Sequence, residues 1–138
     1  MPETPSLRPL AMAAISLEIF LSLGALAGGA ALMLGPRGEI IPLPLSALQG
    51  SPFATYFVPG VILFTILGLG PLAAAWLAWR RNPRAPDAAF SIGVALLIWL
   101  AVEVAIIGYS SDPPLQPFYM LLGAVMAGVG LAWRVRQQ

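Results

Sequence analysis

Long apolar stretches make up most of the chain, and its polar residues gather in the shorter segments between them. A transmembrane helix needs about 20 mostly apolar residues, each advancing it by ~1.5 Å. Four stretches meet this requirement and predict membrane-spanning helices at approximately residues 10–34, 52–79, 88–109 and 117–133. Because a helix satisfies its own backbone hydrogen bonds inside hydrocarbon, the pattern predicts an all-α fold, a bundle of four transmembrane helices.

Local signals indicate the starts of two of these helices and one irregularity. Ser51 and Pro52 are typical of an N-cap and a first helical position, and Asp87 is a candidate N-cap for the third helix. In the second stretch, Pro71 follows Gly70 and has no backbone N–H to donate. We therefore expect a kink at Gly70 and Pro71 that frees a backbone carbonyl one turn earlier.

The first stretch has an alternative interpretation as a secretory signal peptide, because Arg8 precedes it. The apolar core of a signal peptide is ~7–15 residues long, about half the length of this stretch. The stretch also contains the charged Glu18. Both features favour a helix that the mature protein retains.

The distribution of arginine predicts the orientation of the bundle. With four spans, one side holds Arg8, Arg80, Arg81, Arg84, Arg134 and Arg136, and the other holds Arg37. Basic residues concentrate in cytoplasmic segments, so both termini are predicted to be cytoplasmic. The use of arginine without lysine is typical of high-GC bacteria, which makes the bacterial cytoplasmic (inner) membrane the expected location.

The aromatic residues agree with this orientation, since Trp and Tyr concentrate at membrane–water interfaces. Tryptophan falls at the predicted cytoplasmic ends and tyrosine at the outer ends. The residues are Trp76, Trp79 and Trp133, and Tyr56, Tyr109 and Tyr119.

An apolar, proline-rich outer loop, residues 35–50, joins the first two spans. Pro42 and Pro44 interrupt its apolar run, so it is not predicted to cross the membrane. Two interpretations stay open. The favoured one is a hydrophobic connector resting on lipid headgroups, and the other is a lid over a cavity.

Small residues four apart predict where helices approach closely, because lipid gives helices no hydrophobic reason to associate. Gly24 and Gly28 form such a pair in the first span, and Gly123 and Gly128 belong to similar pairs in the fourth. These motifs support packing within one bundle and a homodimer or larger membrane complex equally well.

Composition excludes several classes of function. At 138 residues, 59% hydrophobic and 9% charged, the chain is predicted to be a single transmembrane domain whose main partner is the lipid bilayer. It contains no Cys, His or Lys, which removes thiol, imidazole and Schiff-base chemistry. We therefore expect no enzymatic activity, no cofactor and no metal. The net charge of +1 gives no reason to expect a nucleic-acid partner.

Two glutamates, Glu18 and Glu103, are the charged residues inside the predicted spans. A charge at the membrane centre costs at least ~2.5–3.5 kcal/mol, so both should face the bundle interior or a water-filled cavity. Helix rise puts the two at different depths, which predicts two separate sites. For each, a functional role and a structural role as an interhelical hydrogen bond are weighted equally.

Each glutamate has a predicted neighbourhood. Glu18 belongs to a face predicted to point inward, which consists of Ala11, Ala14, Glu18, Ser22, Ala25 and Gly29. Our hypothesis is that protonated Glu18 donates a hydrogen bond to the backbone near Pro71. Glu103 lies near a predicted outer polar mouth made of Tyr56, Tyr109, Gln116 and Tyr119, which makes it a candidate cation, proton or ligand site.

Glu18, early in the first of four short helices, resembles the membrane-embedded glutamate of the small multidrug resistance transporters. In that family such a residue exchanges protons for cationic drugs. The resemblance covers Glu18 and the number of spans, while the family's aromatic-glycine signature in the third helix is missing. Residues 51–60, Ser-Pro-Phe-Ala-Thr-Tyr-Phe-Val-Pro-Gly, are more similar to uncharacterised small bacterial four-span membrane proteins, which implies no particular activity.

Two classes of function remain. The favoured one is a non-catalytic membrane protein, either an accessory or scaffold subunit or a binder of an apolar or lipid-like ligand. The alternative is a small proton- or cation-coupled transporter that uses Glu18, Glu103 or both. The sequence shows no inverted repeat and no second broken helix, features that many transporter folds have, and this ranks the transporter second.

Overall fold

The computed structural model of the protein describes residues 8–109 and 115–137. Within these residues the fold is all-helical, with four helices long and apolar enough to cross a membrane. They are α1 (Arg8–Leu34), α2 (Phe57–Trp79), α3 (Ala85–Ile107) and α4 (Leu115–Gln137). The prediction of an all-α fold with four membrane-length helices is confirmed.

Two buried clusters mark the two ends of the bundle. The first, at what we call the arginine end, contains Ala11, Ala14, Ala78, Ala85, Ala89 and Trp133. The second, at what we call the loop end, contains Leu32, Leu48 and Tyr56, packed against residues that include Leu63, Ile106 and Ile107. Six of the seven arginines belong to the helix ends and the connection at the arginine end.

Trp133 lies in the cluster at the arginine end, but its side chain is buried there instead of exposed. It is 1% exposed and fills a core otherwise lined by alanine, whose small side chains leave room for an indole ring. Trp76 and Trp79 are exposed. The guanidinium of Arg80 lies 5.0 Å from the centre of the Trp76 ring.

Helix α2 begins at Phe57, later than predicted, and Ser51 is not its N-cap. The Ser51 hydroxyl donates to the Leu48 carbonyl oxygen at 2.7 Å and accepts from the Phe53 amide at 3.2 Å. Serine side chains readily form such local turns in place of a helix cap. Pro59 lies in the first turn of α2, where its missing N–H removes no intrahelical hydrogen bond.

The predicted C-terminal ends of α1 and α2, at residues 34 and 79, match the observed ones, while the bounds of α3 differ from the prediction. Helix α3 begins at Ala85, so Asp87 is not its N-cap and lies in its first turn. A carboxylate there interacts favourably with the positive end of the helix dipole. Asp87 also lies 3.3 Å from Arg134 of α4, but both side chains are about half exposed, so this ion pair contributes little stability. Gly108, with a φ of 87°, ends α3 in a positive-φ conformation that glycine adopts at no steric cost.

Helix α2 contains a π-helical segment. It consists of Leu63–Leu69, between α-helical Phe57–Ile62 and Gly70–Trp79. An irregularity was predicted at Gly70 and Pro71, and the π-helical segment is the form it takes. Pro71 has no N–H to donate to the carbonyl one turn earlier. The Gly70 amide donates to the Thr65 carbonyl oxygen, five residues earlier, as in a π-helix. The segment packs against α1, and π-helical segments often occur at functional sites.

Glycines allow the closest contacts between helices. A Cβ added to Gly29 of α1 would lie 2.8 Å from the Gly60 carbonyl oxygen of α2. A Cβ added to Gly93 of α3 would lie 2.5 Å from the Ala127 amide nitrogen and 2.7 Å from the Gly123 carbonyl oxygen of α4. These helix backbones therefore meet at distances that exclude a larger residue.

The predicted packing glycines divide into two groups. Gly123 lies in the α3–α4 contact, and a Cβ added to Gly28 would lie 3.4 Å from the Leu63 side chain of α2, an ordinary contact distance. Gly128 has no described atom within 4 Å of its added Cβ, so it does not pack against the described helices, and its alternative role in a homodimer stays a prediction. Gly130 packs against α3 instead, where a Cβ added to it would clash with the Phe90 amide nitrogen.

Residues 35–56 fold onto the loop end of the bundle. Leu48, in a short 3-10 helix (Leu45–Leu48), and Tyr56 are each 4% exposed. The Tyr56 hydroxyl donates to the Pro44 carbonyl oxygen at 2.8 Å, and the Tyr56 amide donates to the Pro36 carbonyl oxygen at 2.9 Å. The segment therefore covers the helix ends and does not extend away from them.

Candidate ligand-binding site

Two cavities lie at the loop end, in the part of the chain that the structure describes. The larger, about 520 Å³, is lined by all four helices, and we call it the central cavity. The smaller, about 360 Å³, lies between α2 and α3 beneath residues 43–56, and we call it the lateral cavity. Both volumes fall within the ~300–1,000 Å³ typical of small-molecule sites.

The central cavity has an apolar interior and a polar end. Its interior wall consists of Leu21, Ala25, Leu63, Leu67, Leu96 and Leu100. Glu103, Gln116 and Tyr119 line it nearer the loop end, where Ile41 and Pro42 complete the wall. This division suits an elongated molecule with one polar end. Its apolar part would contact the apolar interior wall, and its polar end would contact Glu103, Gln116 and Tyr119.

A hydrogen bond from α4 holds Glu103 in place. The Gln116 side-chain nitrogen donates to Glu103 Oε2 at 2.9 Å and to the Gly108 carbonyl oxygen at 3.2 Å. Gln116 is buried, and Glu103 is partly exposed. The contact fixes one carboxylate oxygen and ties the loop end of α3 to the start of α4.

The other carboxylate oxygen of Glu103, Oε1, accepts no hydrogen bond from the residues that the structure describes. Glu103 lines both cavities, as do Leu32, Leu43, Leu67 and Ile107. Among the described residues that line the two cavities there is no arginine. Glu103 therefore offers an acceptor, without a countercharge, where the two cavities meet.

The lateral cavity reaches the outer surface of the bundle. Ile66 of α2 and Ile98 and Val102 of α3 line it, and they are 51%, 60% and 45% exposed. They belong to membrane-length helices, so their exposed surface is one that lipid would cover. The lateral cavity thus forms an opening between α2 and α3 that leads to Glu103.

The predicted polar mouth is assembled only in part. Gln116 and Tyr119 lie with Glu103 in the wall of the central cavity. Tyr56 lines the lateral cavity instead, and its hydroxyl donates to the Pro44 carbonyl oxygen. Tyr109 is 58% exposed and lines neither cavity.

Gly24 leaves space for Tyr119. A Cβ added to Gly24 would lie 3.0 Å from the Tyr119 hydroxyl oxygen, and both residues line the central cavity. The Phe118 ring packs edge-on against the Tyr119 ring, with 5.2 Å between their centres. Gly24 therefore allows the close approach of the α4 side chain Tyr119 to α1, at a point in the cavity wall.

Glu18 is fully buried and lines neither cavity. Neither of its carboxylate oxygens has a hydrogen-bond partner among the described residues. The hypothesis that Glu18 bonds to the backbone near Pro71 is therefore wrong. Ser22, one turn further along α1, makes the hydrogen bond to the α2 backbone instead. Its hydroxyl donates to the Gly68 carbonyl oxygen at 2.6 Å.

The face of α1 that carries Glu18 points inward, as predicted. All six of its residues are buried: Ala11, Ala14, Glu18, Ser22, Ala25 and Gly29. Ser22 could have been found from this pattern, because a serine on a buried face needs an acceptor. A hydroxyl on a short side chain can lie against a glycine backbone without displacing the helices.

Sequence reasoning missed the apolar part of the site. Trp99, Ile98 and Ile106 of α3 line the lateral cavity. In a membrane helix, apolar residues occupy the lipid-facing surface, the packed core and a cavity wall alike, because lipid is as apolar as leucine. No signal in the sequence separates these three environments.

The described residues contain no group of three or more side chains that could hold a metal ion. No family model, no curated protein and no solved structure matches the chain. The resemblances drawn from Glu18 and from residues 51–60 stay predictions. The features of the described residues that bear on function are the two cavities and Glu103.

Proposed function

We propose that this protein is a non-catalytic, multi-pass membrane protein that binds an apolar or lipid-like ligand in the central cavity. The observation that supports this proposal is the cavity of about 520 Å³ among four helices, apolar along most of its wall. A scaffold alone would be expected to close such a space, because membrane helices associate through tight packing. An accessory subunit without a ligand is therefore the weaker form of the proposal.

We further propose that the protein resides in a bacterial cytoplasmic membrane with its arginine end in the cytoplasm. Six arginines against one support this orientation. The loop end then faces outward, and the lateral cavity opens towards the outer half of the bilayer. A lipid-like ligand would reach Glu103 sideways from the membrane.

Single-cysteine labelling tests the orientation, since the chain has no Cys of its own. Gln49 and Gln137 are exposed and lie at the loop end and the arginine end. A membrane-impermeant maleimide should label Gln49→Cys in intact cells and Gln137→Cys only after permeabilisation. The reverse pattern would contradict the proposed orientation.

Filling the central cavity tests the proposed function. Gly28 lines this cavity, so Gly28→Leu should place a side chain in the space of the ligand. Gly128→Leu is the matched control, because a Cβ at Gly128 meets no described atom within 4 Å. We expect saturable binding of tritiated decanol to wild type and to Gly128→Leu in phosphatidylcholine nanodiscs. Gly28→Leu should lower the affinity for decanol about tenfold or more, a loss of ~1.4 kcal/mol or more in binding free energy.

The measurement is a scintillation proximity assay, in which empty nanodiscs report the partitioning of decanol into lipid. Equal saturable binding by both leucine variants and wild type would exclude the central cavity as the site. The absence of saturable binding by wild type would contradict the proposed function itself.

A proton- or cation-coupled transporter is the second proposal, and the buried, unpartnered carboxyl of Glu18 supports it. It requires a path from solvent to Glu18, and neither described cavity is lined by this residue. Proton release from purified protein on addition of candidate cations, lost in Glu18→Gln, would favour transport over ligand binding alone.

A further inference from the structure

We infer that the ligand of the central cavity is an amphiphilic cation, with an ammonium group at Glu103 and an apolar chain in the cavity interior. The inference rests on the proposed function and adds the chemical class of the ligand's head group. Its basis is the position of Glu103, the one acidic side chain among the described residues that line the cavity, at the polar end of a space whose interior wall is apolar.

The charge of the site selects the sign of the head group. Glu103 is the acidic residue that lines the described cavities, and no arginine lines them with it. A cationic head group gives the Glu103 carboxylate the countercharge that the cavity wall lacks. An anionic head group would face like charge in a region of low dielectric, which is costly.

The hydrogen bonds of the site select a donor. Gln116 supplies a hydrogen bond to Glu103 Oε2, and Oε1 accepts none from the described residues. An ammonium N–H would bind Oε1 through a charge-assisted hydrogen bond, which is stronger than a neutral one. An alcohol head group would form the weaker, neutral bond.

The shape of the cavity selects an extended apolar tail. Glu103 lies seven residues from Leu96 along α3, so the cavity wall extends roughly 10 Å from one to the other at ~1.5 Å per residue. Leu67 and Leu100 line the interval, and no charged residue besides Glu103 lines the cavity among those described. A single alkyl chain fits this wall better than a polar or multiply charged body.

Three ligands with the same chain and different head groups test the inference. Tritiated decylamine, decanol and decanoate are compared on wild-type protein in phosphatidylcholine nanodiscs at neutral pH, with empty nanodiscs as background. We expect decylamine to bind about fivefold or more tightly than decanol, since one charge-assisted hydrogen bond exceeds a neutral one by ~1 kcal/mol or more. Decanoate should bind more weakly than decanol.

Matched glutamine variants assign the preference to one residue. Glu103→Gln keeps the size of the side chain and removes its charge, so the affinities for decylamine and decanol should come within about twofold of each other, a difference of ~0.4 kcal/mol. Glu18→Gln is the control and should keep the wild-type preference, because Glu18 lines neither cavity.

The outcomes separate this inference from the proposed function. Saturable decanol binding without a preference for decylamine overturns the cationic head group and leaves ligand binding intact. A preference that persists in Glu103→Gln also overturns the inference. No saturable binding of any of the three compounds overturns both. If Glu103→Gln does not fold, the comparison of the three compounds on wild type still decides the sign of the head group.

Discussion

Replacing Glu18 by leucine should raise the free energy of unfolding by about 1–3 kcal/mol, the cost of a buried polar group without a hydrogen-bond partner. Glu18 is 0% exposed, and neither carboxylate oxygen has a partner among the described residues. Leucine is similar in size and brings no polar atom into the core. The expected result is a higher unfolding temperature in detergent, measured by intrinsic tryptophan fluorescence.

Two controls make the result specific. Glu18→Gln keeps a polar group at the same place and should unfold close to wild type. Ser22→Ala removes the bond to the Gly68 carbonyl oxygen and should lower stability by about 0.5–1.5 kcal/mol. A lower unfolding temperature for Glu18→Leu would show that the carboxyl does form a stabilising contact.

Replacing Gly93 by alanine should lower the free energy of unfolding by about 1–3 kcal/mol, the usual cost of overpacking. The added Cβ would lie 2.5 Å from the Ala127 amide nitrogen and 2.7 Å from the Gly123 carbonyl oxygen. Both are backbone atoms, so α3 and α4 have to separate to admit the methyl group. The same fluorescence measurement in detergent follows the change.

Gly128→Ala is the matched control for Gly93→Ala, on the partner helix. Its Cβ meets no described atom within 4 Å, and alanine favours a helix over glycine by up to ~1 kcal/mol. Its stability should equal or exceed that of wild type. If both alanine variants behave alike, the close α3–α4 contact at Gly93 is not what holds these helices together.

The number and approximate limits of the helices could be predicted from the sequence, because the length of an apolar stretch is set by the thickness of the membrane. The start of α2 could not, since competing local hydrogen bonds decide it. Ser51 has the chemistry of an N-cap, yet its hydroxyl bonds to Leu48 in a local turn and α2 begins at Phe57.

The inward face of α1 could be predicted because polar and small residues share one side of it. The inward face of α4 could not, because Gly123, Gly128 and Gly130 lie close together in sequence and point in different directions. Gly128 is open, while Gly123 and Gly130 pack against α3. Spacing alone does not show which of several small residues meets a neighbouring helix.

The polar residues of the site were more predictable than its shape. Glu103 and Gln116 stand out in an apolar chain, and the structure joins them through a hydrogen bond of 2.9 Å. The cavities depend on how residues 35–56 fold back and on the π-helical segment of α2, which supplies Leu63 and Leu67 to their walls. These features come from tertiary packing that no local pattern encodes.

Photo-crosslinking tests the central claim, that a lipid-like ligand occupies the central cavity, most directly. A decanol analogue with a diazirine near its chain end is irradiated with the protein in nanodiscs, and mass spectrometry locates the modified residues. We predict adducts on the interior wall, at Leu21, Leu67 or Leu96, that excess decanol removes. Adducts confined to exposed positions of α4 such as Leu121 and Leu131, unchanged by excess decanol, would contradict the claim.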